Sequence, residues 1–397
     1  MKTKSILFIL CSFLFLSDCI TKYEATGIEE MTDILVVEGI ITDYETIITL
    51  SRSMNLTGEY DYSRSYYVDN AEVYVECDDG MQFHAEPYDY WGWGVPPRNG
   101  RYLIKTGALN PDLKYSLKIE IDEIDGDCIP NLWGVGACPT KTYEYYSDFS
   151  YPMKTPEIDS IFWIKRGKGQ PVMLYVATHE LEQKVSYYRW SYREDWEVNA
   201  ELYHADYPRY CWKSSRSSDF LLGTDEKTVY GQLADILTEI APSDDRLSDL
   251  YRIIIKQNVI SKRAHDYYLN IKKNAENMGS LFAPVPSELR GNIVCITDPQ
   301  RPVIGYIDVS STTNNQRFIS RSDNLYEPPY RDCGIYSYSE LRGEFGVPVG
   351  VPWNPPRPPY IMYSGGEDPQ YVLIQCVDCR ELNGTLQKPD DWPNNYY

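Results

Sequence analysis

The stretch AEVYVECDDG sets the tightest limit on how this chain can fold. Ala71, Val73, Val75 and Cys77 alternate with Glu72, Tyr74 and Glu76. An extended strand puts the first set on one face and the second on the other, whereas a helix would mix them. Asp78-Asp79-Gly80 follows as a turn signal, and MQFHAE returns as the hairpin partner. The alternation recurs in KYSLKIEID, where Leu117, Ile119 and Ile121 oppose Lys118 and Glu120. ILVVEGIITD, ETIITLSRS and GRYLIKTG add further short strands separated by turns. Residues 34–150 are therefore expected to form an antiparallel β-sandwich of the immunoglobulin or fibronectin kind. The acids of EIDEIDGDC, residues 120–128, read as a solvated turn, since they lack the spacing of a calcium loop.

Residues 151–397 are expected to form a second β-rich domain with one or two helices. TPEIDSIFWIK opens it. PVMLYVATHE, VSYYRWSYREDWEV, LSDLYRIIIKQNVI, GNIVCITD, VIGYIDVSS and RFISRS read as strands. One helix is predicted near 262–278. Ser261 is its N-cap, Ala264, Tyr268, Ile271, Ala275 and Met278 share one face, and Gly279 suits the C-cap. Residues 349–369 are rich in Pro and Gly and read as a long extended loop, either covering the sheet or offered to a partner. At 397 residues and 43% hydrophobic, the chain can fill the cores of two domains.

The N-terminus constrains the compartment. Lys2 and Lys4 precede an apolar run from Ser5 to Ser17. A membrane-spanning helix needs about 20 apolar residues, so this run fits the core of a signal peptide better. Leu16-Ser17-Asp18-Cys19 resembles a bacterial lipobox, although Asp18 stands where a small residue is usual. Residues 1–18 are thus expected to be a lipoprotein signal peptide, Cys19 the lipid attachment site, and 19–33 a tether. A protein anchored by several acyl chains stays on its membrane. The net charge of −20 disfavours nucleic acid and anionic lipid surfaces as partners, which strengthens the case for a covalent anchor.

Eight cysteines follow Cys19. In an exported protein an even number permits disulfides. Cys128 and Cys138, which flank a short loop, and Cys376 and Cys379, in a C-x-x-C, are the candidate disulfide cysteines. The four His lie far from the C-x-x-C, so no metal site and no cofactor is expected. The chain holds 36 Tyr, suited both to half-buried strands and to recognition surfaces. Tyr88, Tyr90, Trp91 and Trp93 crowd one Gly- and Pro-punctuated loop, and Trp353 and Tyr360 sit in the Pro-rich segment. These six are the candidate contacts with a neighbouring domain, partner or ligand.

LVVEGIITD, ITLSRS, VDNAEVYVECDDG, AHDYYLNIKKNAENMGSLFAPVPSELRGNI, PVIGYIDVSS and CVDCRELNGTLQKPDDW together resemble the family called domain of unknown function 4249. The resemblance runs from about residue 19 to 393, and GSLFAPVPSELRGNI is its most specific piece. It implies an outer-membrane lipoprotein of Bacteroidota, often encoded beside a TonB-dependent receptor, and the anchored chain is expected to be surface-exposed. It supplies no catalytic residues. The residues themselves show no nucleophile elbow and no phosphate loop, and His179-Glu180 lacks the second His of a zincin. The expected function is a non-enzymatic accessory or binding subunit of a TonB-dependent receptor system. The alternatives are a scaffold subunit of a larger outer-membrane assembly and, further off, a hydrolase with a carboxylate site, which would show a cleft with close, shifted acids.

Overall fold

A computed structural model describes residues 33–53, 66–87, 99–124, 139–179, 186–218, 220–226, 232–277, 291–329, 333–347, 354 and 359–393. The strands of the first half are β1 (Leu35–Glu38), β2 (Tyr44–Arg52), β3 (Ala71–Cys77), β4 (Gln82–Pro87), β5 (Arg101–Gly107), β6 (Tyr115–Ile124) and β7 (Thr140–Ser147). Next come β8 (Ile158–Lys165), β9 (Val172–His179), β10 (Tyr187–Asn199), β11 (Tyr210–Arg216), β12 (Leu221–Thr224), β13 (Gln232–Ile240) and β14 (Leu250–Ile260). The remainder are β15 (Ile293–Cys295), β16 (Val303–Gly305), β17 (Thr312–Ser320), β18 (Tyr336–Ser337), β19 (Tyr360–Ser364) and β20 (Gln370–Leu373). Among the described residues two α-helices accompany them, α1 (Lys262–Asn277) and α2 (Tyr338–Glu344). The protein is mainly β, as its alternating pattern requires.

The first sheet runs in the order β15-β7-β6-β3-β4-β5-β2-β1-β16. Val73, Val75 and Cys77 of β3 and Leu117, Ile119 and Ile121 of β6 are all buried, as the alternation predicts. They share one core with Leu35, Val37, Ile48, Leu50 and Tyr145, so the sheet wraps round its own contents. Each fully buried aliphatic side chain contributes roughly 1.5–3 kcal/mol. The opposite face of β6 departs from expectation. Lys118 is buried, with its ammonium 3.4 Å from the centre of the Tyr146 ring and 3.6 Å from Glu76. The acids of 120–124 are also not a turn. They belong to β6, and the Glu123 carboxylate joins Arg52 to Arg301.

The sheet is completed from beyond residue 150. β15 pairs antiparallel with β7, and β16 pairs parallel with β1, Leu35 opposite Val303. Sequence alone assigns all of 151–397 to the second domain. The structure instead returns these strands to the first, because Ile293 and Cys295 bury their side chains in its core. The two ends meet closely. A Cβ on Gly291 would lie 1.5 Å from the carbonyl oxygen of Gly305, so only glycine fits there.

The second unit is a sandwich of two sheets. One has the order β11-β10-β14-β17, with β12 also on β10, and the other is β13-β9-β8. Tyr188 and Trp190 of β10 and Tyr251, Ile253 and Ile255 of β14 face Val172, Leu174 and Val176 of β9 across one core. Gln257 is buried among them and fully used. It accepts from Trp190 Nε1 at 2.8 Å and donates to the Pro156 carbonyl at 2.8 Å. Helix α1 starts where predicted, with Ser261 Oγ accepting from the Ala264 N–H at 3.1 Å. Ala264, Tyr267 and Tyr268 are buried against Tyr187 and Ile260. The Ala275 side chain, Met278 and Gly279 lie outside the described residues.

β18, β20 and β19 form a small third sheet beside α2. Two disulfides fasten this region, Cys211–Cys379 and Cys333–Cys376. Cys376 and Cys379 are thus both bridged, each to a distant partner. Cys77 and Cys295 are free and buried, and Cys128 and Cys138 lie outside the described residues. Among the described residues no helix is long and apolar enough to cross a membrane.

Candidate functional site

β10 alternates from Tyr188 to Trp196. Its even positions fill the core, so its odd positions, Arg189, Ser191, Arg193 and Asp195, form the outer face of the sheet. On β14 the residues opposite these are Asn258, Lys256, Ile254 and Arg252. The outer face of an apolar sandwich is therefore strongly charged, and both of its ends are covered.

At one end Asp195 is fully buried and Arg252 nearly so. Arg252 Nη2 and Nε donate to Asp195 Oδ2 at 2.7 and 3.2 Å, while Arg193 Nε and Ser214 Oγ donate to Oδ1 at 2.9 and 2.6 Å. Arg252 Nη1 donates to the Asp390 carbonyl at 3.1 Å, and the guanidinium lies 5.4 Å from the Trp392 ring. This network holds the C-terminal segment against the sheet.

At the other end the first sheet leans over the face and leaves a cleft of about 530 Å³. One wall is residues 39–47 and the floor is Arg189, Ser191, Lys256, Asn258, Thr312 and Asn314. The wall is fixed by the Thr312 N–H donating to Asp43 Oδ1 at 2.8 Å and by Ile41 and Ser310 exchanging backbone bonds with Asp308 and Ile41. The tight turn at its tip places Tyr44 at φ +66°, in the left-handed region, beside a bulge in the β2–β5 ladder. Left-handed backbone is uncommon for a bulky residue. Tyr44 is 66% exposed and lines the cleft. Arg189 donates to Tyr268 Oη at 3.2 Å and lies over the Tyr268 and Phe220 rings. Lys256 is exposed. Neither cation has a carboxylate within ion-pair distance among the described residues.

A second cavity, about 690 Å³, lies where β10 and β14 meet the C-terminal segment. Asp249 borders it, accepting from Asn199 Nδ2 at 2.6 Å. Burial and the charge of nearby Glu197 push the Asp249 carboxyl above the usual carboxylate range. A carboxyl whose folded pKa exceeds its unfolded one holds more protons when folded. Stability is therefore lost as pH rises from the unfolded value through the folded one. Asp249→Asn removes that loss. The expected result is a variant more stable than the parent at neutral pH, with the gap closing near pH 4, read by urea unfolding at a series of pH values. A gap that widens on acidification would contradict the assignment.

Of the residues singled out by sequence, Cys19, Tyr88, Tyr90, Trp91, Trp93 and Trp353 lie outside the described residues. Tyr360 is on β19, edge-on to Tyr336 and Phe345 at 6.4 and 6.2 Å between ring centres. His179 stands on a strand, bonded to Asp159 at 2.6 Å, so it has no helical face on which to place a second His. Among the described residues no cluster of three or more metal-binding side chains is present. The sequence reading missed Tyr44, Arg189 and Lys256. The alternation in YYRWSYRED was the available signal for the two-faced strand, while nothing in DYET announces a left-handed Tyr44.

A nine-stranded sheet wrapped round its own core and a two-sheet sandwich, sharing one interleaved chain with a polar cleft at their junction, define this as a mainly β, two-unit protein. Comparison with known families carries the identification further. The family described as "Domain of unknown function (DUF4249)" matches residues 20–126 and 139–316, and the chain belongs to it. The match ends at 316, so the disulfide-fastened C-terminal segment, including CVDCRELNGTLQKPDDW, lies beyond it. No curated protein is significantly similar to the chain.

Proposed function

We propose that the protein is a lipid-anchored outer-membrane subunit that binds a ligand and works beside a TonB-dependent receptor, without transforming what it binds. The observation that carries this reading is the junction cleft. Its walls come from both β units, and its lining supplies an aromatic ring, two cations and several hydrogen-bonding groups. The lipobox-like residues ending at Cys19, followed by a polar tether, support attachment to a membrane.

Gentle-detergent affinity purification from the native membrane tests the proposal, comparing the parent chain with Cys19→Ala by mass spectrometry. A TonB-dependent barrel should accompany the parent and be lost with the variant. Recovery of the protein alone in both cases would sink the receptor partnership. The acid-bordered cavity favours a second, hydrolytic reading, in which Asp249, whose carboxyl burial pushes above the usual range, would be the acid. Glycoside cleavage by the parent that Asp249→Asn abolishes would establish it instead.

A further inference from the structure

We infer that the junction cleft takes an acidic oligosaccharide, stacked on Tyr44 with its anionic group held between Lys256 and Arg189. The inference rests on the binding role proposed above and names the chemistry of the ligand.

Tyr44 supplies the first part of the argument. A bulky residue held in left-handed backbone is strained, and such strain persists where something else requires the geometry. Packing does not require it here, since two thirds of the residue is exposed. What the turn achieves is to bring an exposed aromatic side chain to a cleft with a polar floor. The C–H face of a pyranose ring stacks on such a surface, while its hydroxyls need planar, fixed hydrogen-bonding groups around the rim. The floor offers them. The Asn258 amide is locked by donating to the Ser311 carbonyl at 3.1 Å and Thr312 Oγ1 at 2.9 Å, which leaves its oxygen as an acceptor. Asn314 is exposed beside it.

The charges supply the second part. In a chain of net charge −20, cations without an acidic neighbour are conspicuous. The opposite wall carries two acids, neither of them within ion-pair distance of Arg189 or Lys256. Asp43 accepts the Thr312 N–H, and Glu45 lies near Lys105. Arg189 and Lys256 are left to a charge brought from outside, and a guanidinium backed by two aromatic rings is a preorganised carboxylate or sulfate binder. An acidic peptide is the competing occupant. Peptides that bind by strand addition need a free sheet edge. Arg189 and Lys256 project from β10 and β14, both of which are paired on either side there.

The test is calorimetric titration of the full chain in mild detergent. The probes are tetragalacturonate, a heparin-derived tetrasaccharide, neutral maltotetraose and tetraglutamate. At least one acidic saccharide should bind, with maltotetraose and tetraglutamate at least tenfold weaker. The two acidic probes distinguish carboxylate from sulfate. Tyr44→Asn keeps a residue that tolerates left-handed backbone, so it should leave the unfolding temperature unchanged while weakening binding at least tenfold. Lys256→Gln should weaken binding similarly and flatten its salt dependence. Three results would overturn the inference: no binding of either acidic saccharide, equal binding of tetraglutamate, or indifference to both substitutions. The titration is independent of the membrane pull-down. Saccharide binding without a co-purifying barrel would defeat the receptor partnership alone, and the reverse would defeat only the ligand assignment.

Discussion

Arg252→Met should destabilise the protein by about 3–5 kcal/mol, the usual loss when one member of a buried ion pair is removed. Asp195 is wholly buried, and both bonds to its Oδ2 come from Arg252. Without that guanidinium the carboxylate keeps only Arg193 and Ser214, and its other oxygen is stranded in the protein. The decisive comparison is with Asp195→Asn/Arg252→Met, read by urea unfolding. Removing both charges should restore much of what the single change takes away, since the loss is the cost of the abandoned charge rather than the worth of the pair. A double variant no more stable than the single one would show that Arg252 matters through packing on Phe318 and Trp392 instead.

Breaking Cys211–Cys379 should have an effect of similar size. The bridge spans 168 residues, and chain-entropy reasoning gives about 5 kcal/mol for a loop of that order. Cys333–Cys376 spans 43 residues, for which the same reasoning gives about 4 kcal/mol. Cys211→Ala/Cys379→Ala should therefore lower the urea midpoint more than Cys333→Ala/Cys376→Ala. It should also expose the segment after residue 359 to limited proteolysis, since Cys379 ties that segment to β11. Equal midpoints for the two double variants would show that packing around Val198 and Leu382, not the covalent link, holds the segment.

How far the sequence speaks depends on whether the information is local. The face of β3 that enters the core is written in Val73, Val75 and Cys77, because pleating alone decides it. The start of α1 is equally local, since Ser261 needs only the amide three residues on. The destination of β15 and β16 is not local. IVC and VIG are strand-like anywhere, and nothing in three residues says that their partners lie some 150 and 270 positions earlier. Cysteine behaves in the same way. The C-x-x-C marked Cys376 and Cys379 as bridged, but their partners, Cys333 and Cys211, were fixed by the fold. The cleft was the least legible part. Its groups come from the tip of β2, from β10, from β14 and from β17, and its most unusual residue is defined by a dihedral angle.

The way the first sheet closes also bears on the order of synthesis. A ribosome finishes β1 through β7 long before it reaches β15 and β16, so the N-terminal half must wait, with both sheet margins bare, while well over a hundred more residues are made. Folding that depends on such distant partners is slow, and unpaired margins are where chains stick to one another. The nascent protein thus has a long period in which it is unfinished, and a fragment ending near residue 150 would remain in that condition permanently.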